Sequence, residues 1–198
     1  MTKGRVAVAD TGDRRVRKTR RLLREQLAAL MEEKSIRDIT VKELCEACDI
    51  NRGTFYLHYT DVYDLLHSIE SEMQQGFQQV IGQVFEENKL DENNLSAGLR
   101  GVFCYLADNA DMCRVLLCKG GDMEFIERVE TLVRETVRAQ YNALGYRGDQ
   151  EYDYVFTYIS AGCIGVLRRW LEDGMPQPPQ EIAALVENIM REGVLRVL

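Results

Sequence analysis

The chain has 198 residues, 45% hydrophobic and 29% charged, with six cysteines and a formal net charge of −7. That is the profile of an ordinary globular chain, long enough for one or two small domains with a real core. No apolar run approaches the ~18 residues of a membrane helix, and the opening MTKGRVAVADTGDRR lacks the apolar stretch of a secretory leader. The expected compartment is therefore the cytoplasm, where cysteines do not imply disulfides.

Charge is unevenly spread. Residues 1–60 hold 13 Lys and Arg against 9 Asp and Glu, whereas residues 61–198 hold 12 against 23. A basic head on an acidic body suits a molecule that meets phosphate at one end only. Residues 1–13 read as a disordered arm. Residues 14–21, Arg-Arg-Val-Arg-Lys-Thr-Arg-Arg, put six cations in eight positions at the start of a helix whose stripe is Leu23, Leu27 and Leu30. Taken alone, such a run is ordinarily a solvated helical turn.

Further helical stripes follow: Leu66, Ile69, Met73, Phe77, Val80 and Val84; Val129, Val133, Val137, Tyr141 and Leu144; Phe156, Ile159, Cys163, Val166 and Trp170. Residues 87–94 read as a polar connector. Residues 119–122 and 145–149 read as glycine-based turns. All three prolines fall within residues 175–179, ahead of the last helix. With no alternating strand pattern, repeat or low-complexity tract, the chain reads as all-α with about nine helices.

The helix over residues 152–173 carries a second stripe, Tyr154, Tyr158, Ala161 and Gly165. The last carries Ile182, Val186, Ile189 and Val194, widened by Leu185, Met190 and Val197. Two doubly apolar helices fit a self-association surface, two from each copy, with Tyr154, Ala161, Gly165, Ile182, Val186 and Ile189 as its contacts. The competing reading is that both helices simply close their own core.

The most informative stretch is residues 40–59, TVKELCEACDINRGTFYLHY. Thr40 and Glu43 form a capping box, with Ile39 and Leu44 placed as a hydrophobic staple. Asn51 is a second cap, with Ile50 and Phe55 as its staple. Two short helices joined by about three residues, 48–50, make a helix-turn-helix. In that motif the second helix enters the major groove and its first residues meet the bases. Here those are Asn51, Arg52, Gly53, Thr54 and Tyr56. Thr40, Lys42, His58 and Tyr59 are placed along the phosphates, which fix register without reading sequence, and Val41 joins the same DNA-binding set. Gly53 lets the backbone come close, and the helix N-terminus favours an anion.

Residues 39–44, 51–59 and Tyr63-Asp-Leu-Leu66 together resemble the TetR/AcrR family of bacterial regulators, over about residues 14–68. Residues 159–165 and 170–174 look like the C-terminal domain of a subset that includes dihydroxyacetone-kinase regulators. The resemblance implies a DNA-binding domain at 14–68 and an effector-binding and dimerisation domain at 69–198. It implies a homodimer on a double-stranded operator, most simply a repressor, released when a small-molecule effector moves the fourth helix, about residues 61–85. A lysine often contacts phosphate near the start of that helix in this family. Here residues 60–62 are Thr-Asp-Val, so either residues 14–21 supply the missing charge or affinity is modest.

Cys45 and Cys48 form a C-x-x-C, but zinc wants four ligands and His58 and His67 are the only histidines. A redox pair wants a preceding strand. The ordinary role of a free cysteine is that of a small buried hydrophobe; a thiol or metal sensor using Cys113 and Cys118 is the alternative. A helical adaptor that has lost DNA binding is another. No nucleophile, base and orienting group stand together, and phosphate-loop and dinucleotide fingerprints are absent. An enzyme, a bound metal and a cofactor are therefore not expected. The effector pocket should draw on Phe103, Tyr105, Met112, Phe125, Tyr158 and Trp170, each of which could equally be plain core.

Overall fold

A computed structural model describes residues 9–86, 92–118, 123–143 and 150–192. The described residues form α1 (Ala9–Glu33), a 3-10 turn (Ile36–Asp38), α2 (Val41–Ala47), α3 (Arg52–Tyr56), α4 (Val62–Glu86), α5 (Glu92–Asp108), α6 (Ala110–Leu117), α7 (Met123–Ala143), α8 (Gln150–Glu172) and α9 (Pro179–Glu192), with no strand among them. The all-α reading holds. Two boundaries differ from expectation: α1 starts at Ala9, inside the segment read as an arm, and α5 starts at Glu92, inside the polar connector. The turns expected at 119–122 and 145–149, and Leu144, Val194 and Val197, lie outside the described residues.

The chain divides into two compact units, Met1–Ile69 and Glu70–Leu198, and the division falls within α4. In the first unit Leu23, Leu27 and Ala28 of α1 are buried, as are Ile39, Leu44, Phe55, Val62 and Leu65. Full burial of each large apolar side chain is worth about 1.5–3 kcal/mol, which is what secures helices too short to stand alone.

In the second unit α5 lies along α9 and α6 packs on α8. Its core is built from Phe103, Leu106, Met112, Cys113, Leu116, Phe125, Trp170, Leu171, Ile182, Ala183 and Val186. Phe103 meets Trp170 edge-on at 5.7 Å, and the indole N–H of Trp170 donates to the Gln177 carbonyl at 3.0 Å. Helix α8 stops because Gly174 (φ +80) turns the chain left-handed. Its amide reaches the Leu171 carbonyl, and the Met175 amide reaches back to Trp170, the Schellman arrangement. Pro179 opens α9 at the first helical position, where a missing N–H costs nothing.

Candidate nucleic-acid interface

The helix-turn-helix forms from local chemistry. The Thr40 hydroxyl accepts from the Glu43 amide at 3.2 Å, and the Asn51 side chain accepts from the Gly53 amide at 2.8 Å. The reciprocal half of the capping box is present as well, the Thr40 amide donating to the Glu43 carboxylate, which also takes the Lys34 ammonium. The Lys34 hydrogen bond, the largest influence on it, holds the Glu43 carboxyl below its ordinary value. It also ties the start of α2 to the residue that follows α1.

The turn between α2 and α3 is a second Schellman arrangement. The Ile50 amide donates to Cys45 and the Asp49 amide to Glu46. Asp49 sits at φ 51, the left-handed position usually given to glycine. Cys48 packs inward and its thiol donates to the Leu22 carbonyl of α1 at 3.7 Å. The C-x-x-C pair is thus part of the core. Burial raises both thiols above their ordinary value, Cys48 to about 11. Both therefore stay protonated at neutral pH, the unreactive form. Burial likewise raises Cys118 and Cys163. Among the described residues, no three or more His, Cys, Asp and Glu converge on a common point.

Asn51, Arg52, Gly53 and Tyr56 are exposed on α3, Thr54 is half-buried, and Thr40 and Lys42 are exposed on the α2 side, with Val41 half-buried. Two expectations change. Tyr59 turns inward, only 7% exposed, with its ring 5.8 Å from that of Phe55; it is a core residue rather than a phosphate contact, and His58 beside it is half-buried. The α3 N-terminus has also spent its Gly53 amide on Asn51, which leaves little for an anion. Sequence gives no reason to single out Leu57, because leucine normally faces a core. It is 79% exposed beside Tyr56, so α3 presents an apolar tip as well as polar groups.

In the second unit, Phe103, Met112, Phe125 and Trp170 are buried together with the core. Tyr105 is half-buried and its hydroxyl donates to the Met73 carbonyl at 3.0 Å. Tyr158 does not join them. It lies two residues from buried Phe156, about 200° around α8, and is 73% exposed. The expected self-association set also separates. Tyr154, Ala161 and Gly165 are exposed on α8, whereas Ile182 and Val186 are buried where α5 covers α9, and Ile189 is half-buried. The α9 stripe therefore closes its own core, and the large apolar groups left exposed on α8 and α9 are Tyr154, Val155, Tyr158 and Leu185. No helix among the described residues is long and apolar enough to cross a membrane.

Comparison with known proteins agrees with this geometry. A family model for the C-terminal region of TetR transcriptional regulators matches residues 93–192, just over half the chain. An uncharacterised HTH-type transcriptional regulator of Bacillus subtilis, YxbF, is 19% identical over 173 residues, 86% of this chain but 44% of that protein; the chain spans less than half the length of that relative. Among solved structures, FadR of Bacillus subtilis in complex with stearoyl-CoA superposes with a TM-score of 0.65 at 12% identity, over 87% of this chain and 98% of that one. The dihydroxyacetone kinase operon activator DhaS superposes with a TM-score of 0.53 at 18% identity, over 87% and 93%. At such identities the structures share a fold; with the match over residues 93–192, the chain belongs to the TetR family of transcriptional regulators.

Proposed function

We propose that this regulator binds a double-stranded operator as a homodimer in the cytoplasm, represses from it, and is released by a small apolar effector held in its C-terminal domain. The supporting division is residues 14–68 for DNA and 69–198 for effector and partner. The observation that carries the reading is the pairing of two capped short helices with an outward face of Asn51, Arg52, Gly53 and Tyr56. Arg52 is suited to guanine and the Leu57 tip to a thymine methyl.

Dimerisation is supported by the exposed face of α8. Tyr154 and Tyr158 are 69% and 73% exposed, and a side chain added at Gly162 or Gly165 would meet open space. A partner helix could approach closely there and cover the tyrosines. The effector reading rests on Phe103, Met112, Phe125 and Trp170, and on the fold shared with an acyl-CoA-bound relative. Burial and the raised thiols of Cys45 and Cys48 count against a sensor built on that pair.

The test is a mobility shift with DNA upstream of the protein's own gene, across a salt series with random duplex as competitor. Competitor-resistant binding is expected. An Arg52→Ala, Tyr56→Ala variant should lose discrimination by about 1–3 kcal/mol per base-reading side chain while keeping its helicity. A variant that discriminates as well as the parent refutes the direct-readout role, and a parent that never discriminates favours the adaptor. A reporter gene under that DNA would separate repression from activation.

A further inference from the structure

The second unit is rich in carboxylates, and most of its arginines have one within reach. Residues 61–198 hold 12 Lys and Arg against 23 Asp and Glu. Arg128 meets Glu70 and Glu124, Arg134 meets Glu130 and Asp153, Arg138 meets Asp153, Arg169 meets Asp173, and Arg191 meets Glu187. Arg100 pairs with none, but it stands in solvent and donates to the Ser96 carbonyl. Arg114 and Arg168 differ. Both are half-buried, yet among the described residues neither has a carboxylate at ion-pair distance. The Arg168 Nε is itself buried and has no hydrogen-bond partner. A guanidinium cannot shed its proton to escape that cost, so a buried, unused donor on it calls for an acceptor.

The two arginines meet around Cys118. Helix α6 packs on α8, and the Cys118 thiol, at the end of α6, donates to the Arg168 carbonyl at 3.8 Å. The Cys118 amide donates to the Arg114 carbonyl at 3.0 Å, so Arg114 stands one turn before it. Both charges are felt at that thiol: burial, the largest influence, raises it and Glu172 adds to the rise, while Arg168 and Arg114 act against it. Glu172 lies one turn past Arg168 and is exposed. The surroundings along both helices are apolar, with Leu117 of α6 and Leu167 and Leu171 of α8 buried. Two guanidinium groups at the margin of an apolar core suit a ligand with an acidic head and an apolar body.

We propose that Arg114 and Arg168 form an anion-binding site between α6 and α8, which holds the acidic head of the effector, a carboxylate or a phosphate. This rests on the effector reading above and deepens it. The apolar body lies toward Phe103, Met112 and Trp170, and the arginines select an acid over a neutral molecule of the same shape. A head held from two helices at once also gives the ligand contacts that depend on how those helices sit, which is what a ligand needs to shift a conformational equilibrium.

The experiment is a thermal-shift titration of the full chain, as parent, Arg114→Met and Arg168→Met. The probes are acetate, hexanoate, decanoate and phenylacetate, the primary amide of each, and hexyl and decyl phosphate with their alcohols. At least one acid or phosphate should raise the Tm of the parent, and its neutral twin should not. Each variant should bind that probe more than about tenfold more weakly, the loss of a charge-assisted hydrogen bond. Response to the carboxylates alone or to the phosphates alone assigns the head. Without any probe, Arg168→Met should melt at or above the parent, because it removes a part-buried charge that has no partner. The proposal is overturned if Arg168→Met melts well below the parent, if acid and neutral twin shift the parent equally, or if no acid or phosphate shifts it. None of these readings needs DNA. An acid that binds through the arginines but leaves a parent–operator complex intact would sink the effector reading and keep the anion site. Neutral compounds that release the operator while no acid binds would do the reverse.

Discussion

Replacing Gly76 by alanine should destabilise the C-terminal unit, although alanine is the better helix former. A Cβ at Gly76 would lie 2.3 Å from the Tyr105 hydroxyl and 2.6 Å from Cε2 and Cζ of its ring. Unbonded carbons rest at about 3.5–4.0 Å, so the ring must retreat by roughly 1 Å or more. It is not free to do so. Its hydroxyl donates to the Met73 carbonyl at 3.0 Å, and the ring stands edge-on to Phe77 at 5.4 Å.

Overpacking of this kind costs about 1–3 kcal/mol, and loss of the hydrogen bond about 0.5–1.5. The helix propensity of alanine returns about 0.8–1 kcal/mol. The net is a loss of about 1–3 kcal/mol, or roughly 2–10 °C in Tm for a chain of this size. Thermal unfolding followed by circular dichroism measures it. The decisive comparison is the same change in a Tyr105→Leu background. With the ring gone, Gly76→Ala should become neutral or stabilising by up to about 1 kcal/mol. A single Gly76→Ala variant that melts above the parent, or a double variant whose effects simply add, refutes the reasoning.

Glu70 is buried at 3% exposure, with Arg128 at 2.8 Å. Arg128→Ala should cost near the low end of the ~3–5 kcal/mol of a broken buried pair, since the arginine is a third exposed; urea denaturation reads it. By contrast, Glu25→Ala in the exposed Arg21–Glu25 pair should change stability by less than about 1 kcal/mol. Tyr154→Glu with Tyr158→Glu should convert a dimer to a monomer in sedimentation, and a variant that stays dimeric sinks the α8 interface. The Glu43 carboxyl is lowered from 4.5 chiefly by its Lys34 hydrogen bond. Its contribution is therefore present above pH ~4.5 and lost as pH falls through the folded value, so Lys34→Met should flatten the acid limb of stability against pH. Cys45 and Cys48, buried and raised, should resist alkylation at neutral pH until the protein is denatured; rapid labelling of the native protein would revive the sensor reading.

How far each element could be read from sequence depended on the range of the interaction that fixes it. The caps at Thr40 and Asn51 involve partners two and three residues away, so the helix-turn-helix was legible to the residue. Glu43 completes the capping box on the Thr40 amide, but its second partner, Lys34, lies nine residues off and local sequence does not announce it. Asp49 takes a left-handed φ, which aspartate enters more readily than most residues, and the Schellman bonds of Ile50 and Asp49 hold it there. Periodicity found both stripes of α8 but could not say which faces inward. Phe156 went in and Tyr158 out. On α9 the same ambiguity resolved the other way, with Ile182 and Val186 covered by α5.

These misplacements have a common consequence for function. A stripe on a helix reports only that something apolar covers it, and the cover can be another helix of the same chain or of a second copy. On α9 the cover is present within the unit. On α8 the small residues Ala161, Gly162 and Gly165 leave room, and the tyrosines flanking them are exposed. The same logic separates the cations. Those of α7 serve the fold: Arg134 sits 4.5 Å over Phe156 and within 3.5 Å of Asp153. On α1, by contrast, Arg14, Arg17, Lys18 and Arg21 are exposed, and the pair that Arg21 makes with Glu25 stands in solvent, where it is worth little.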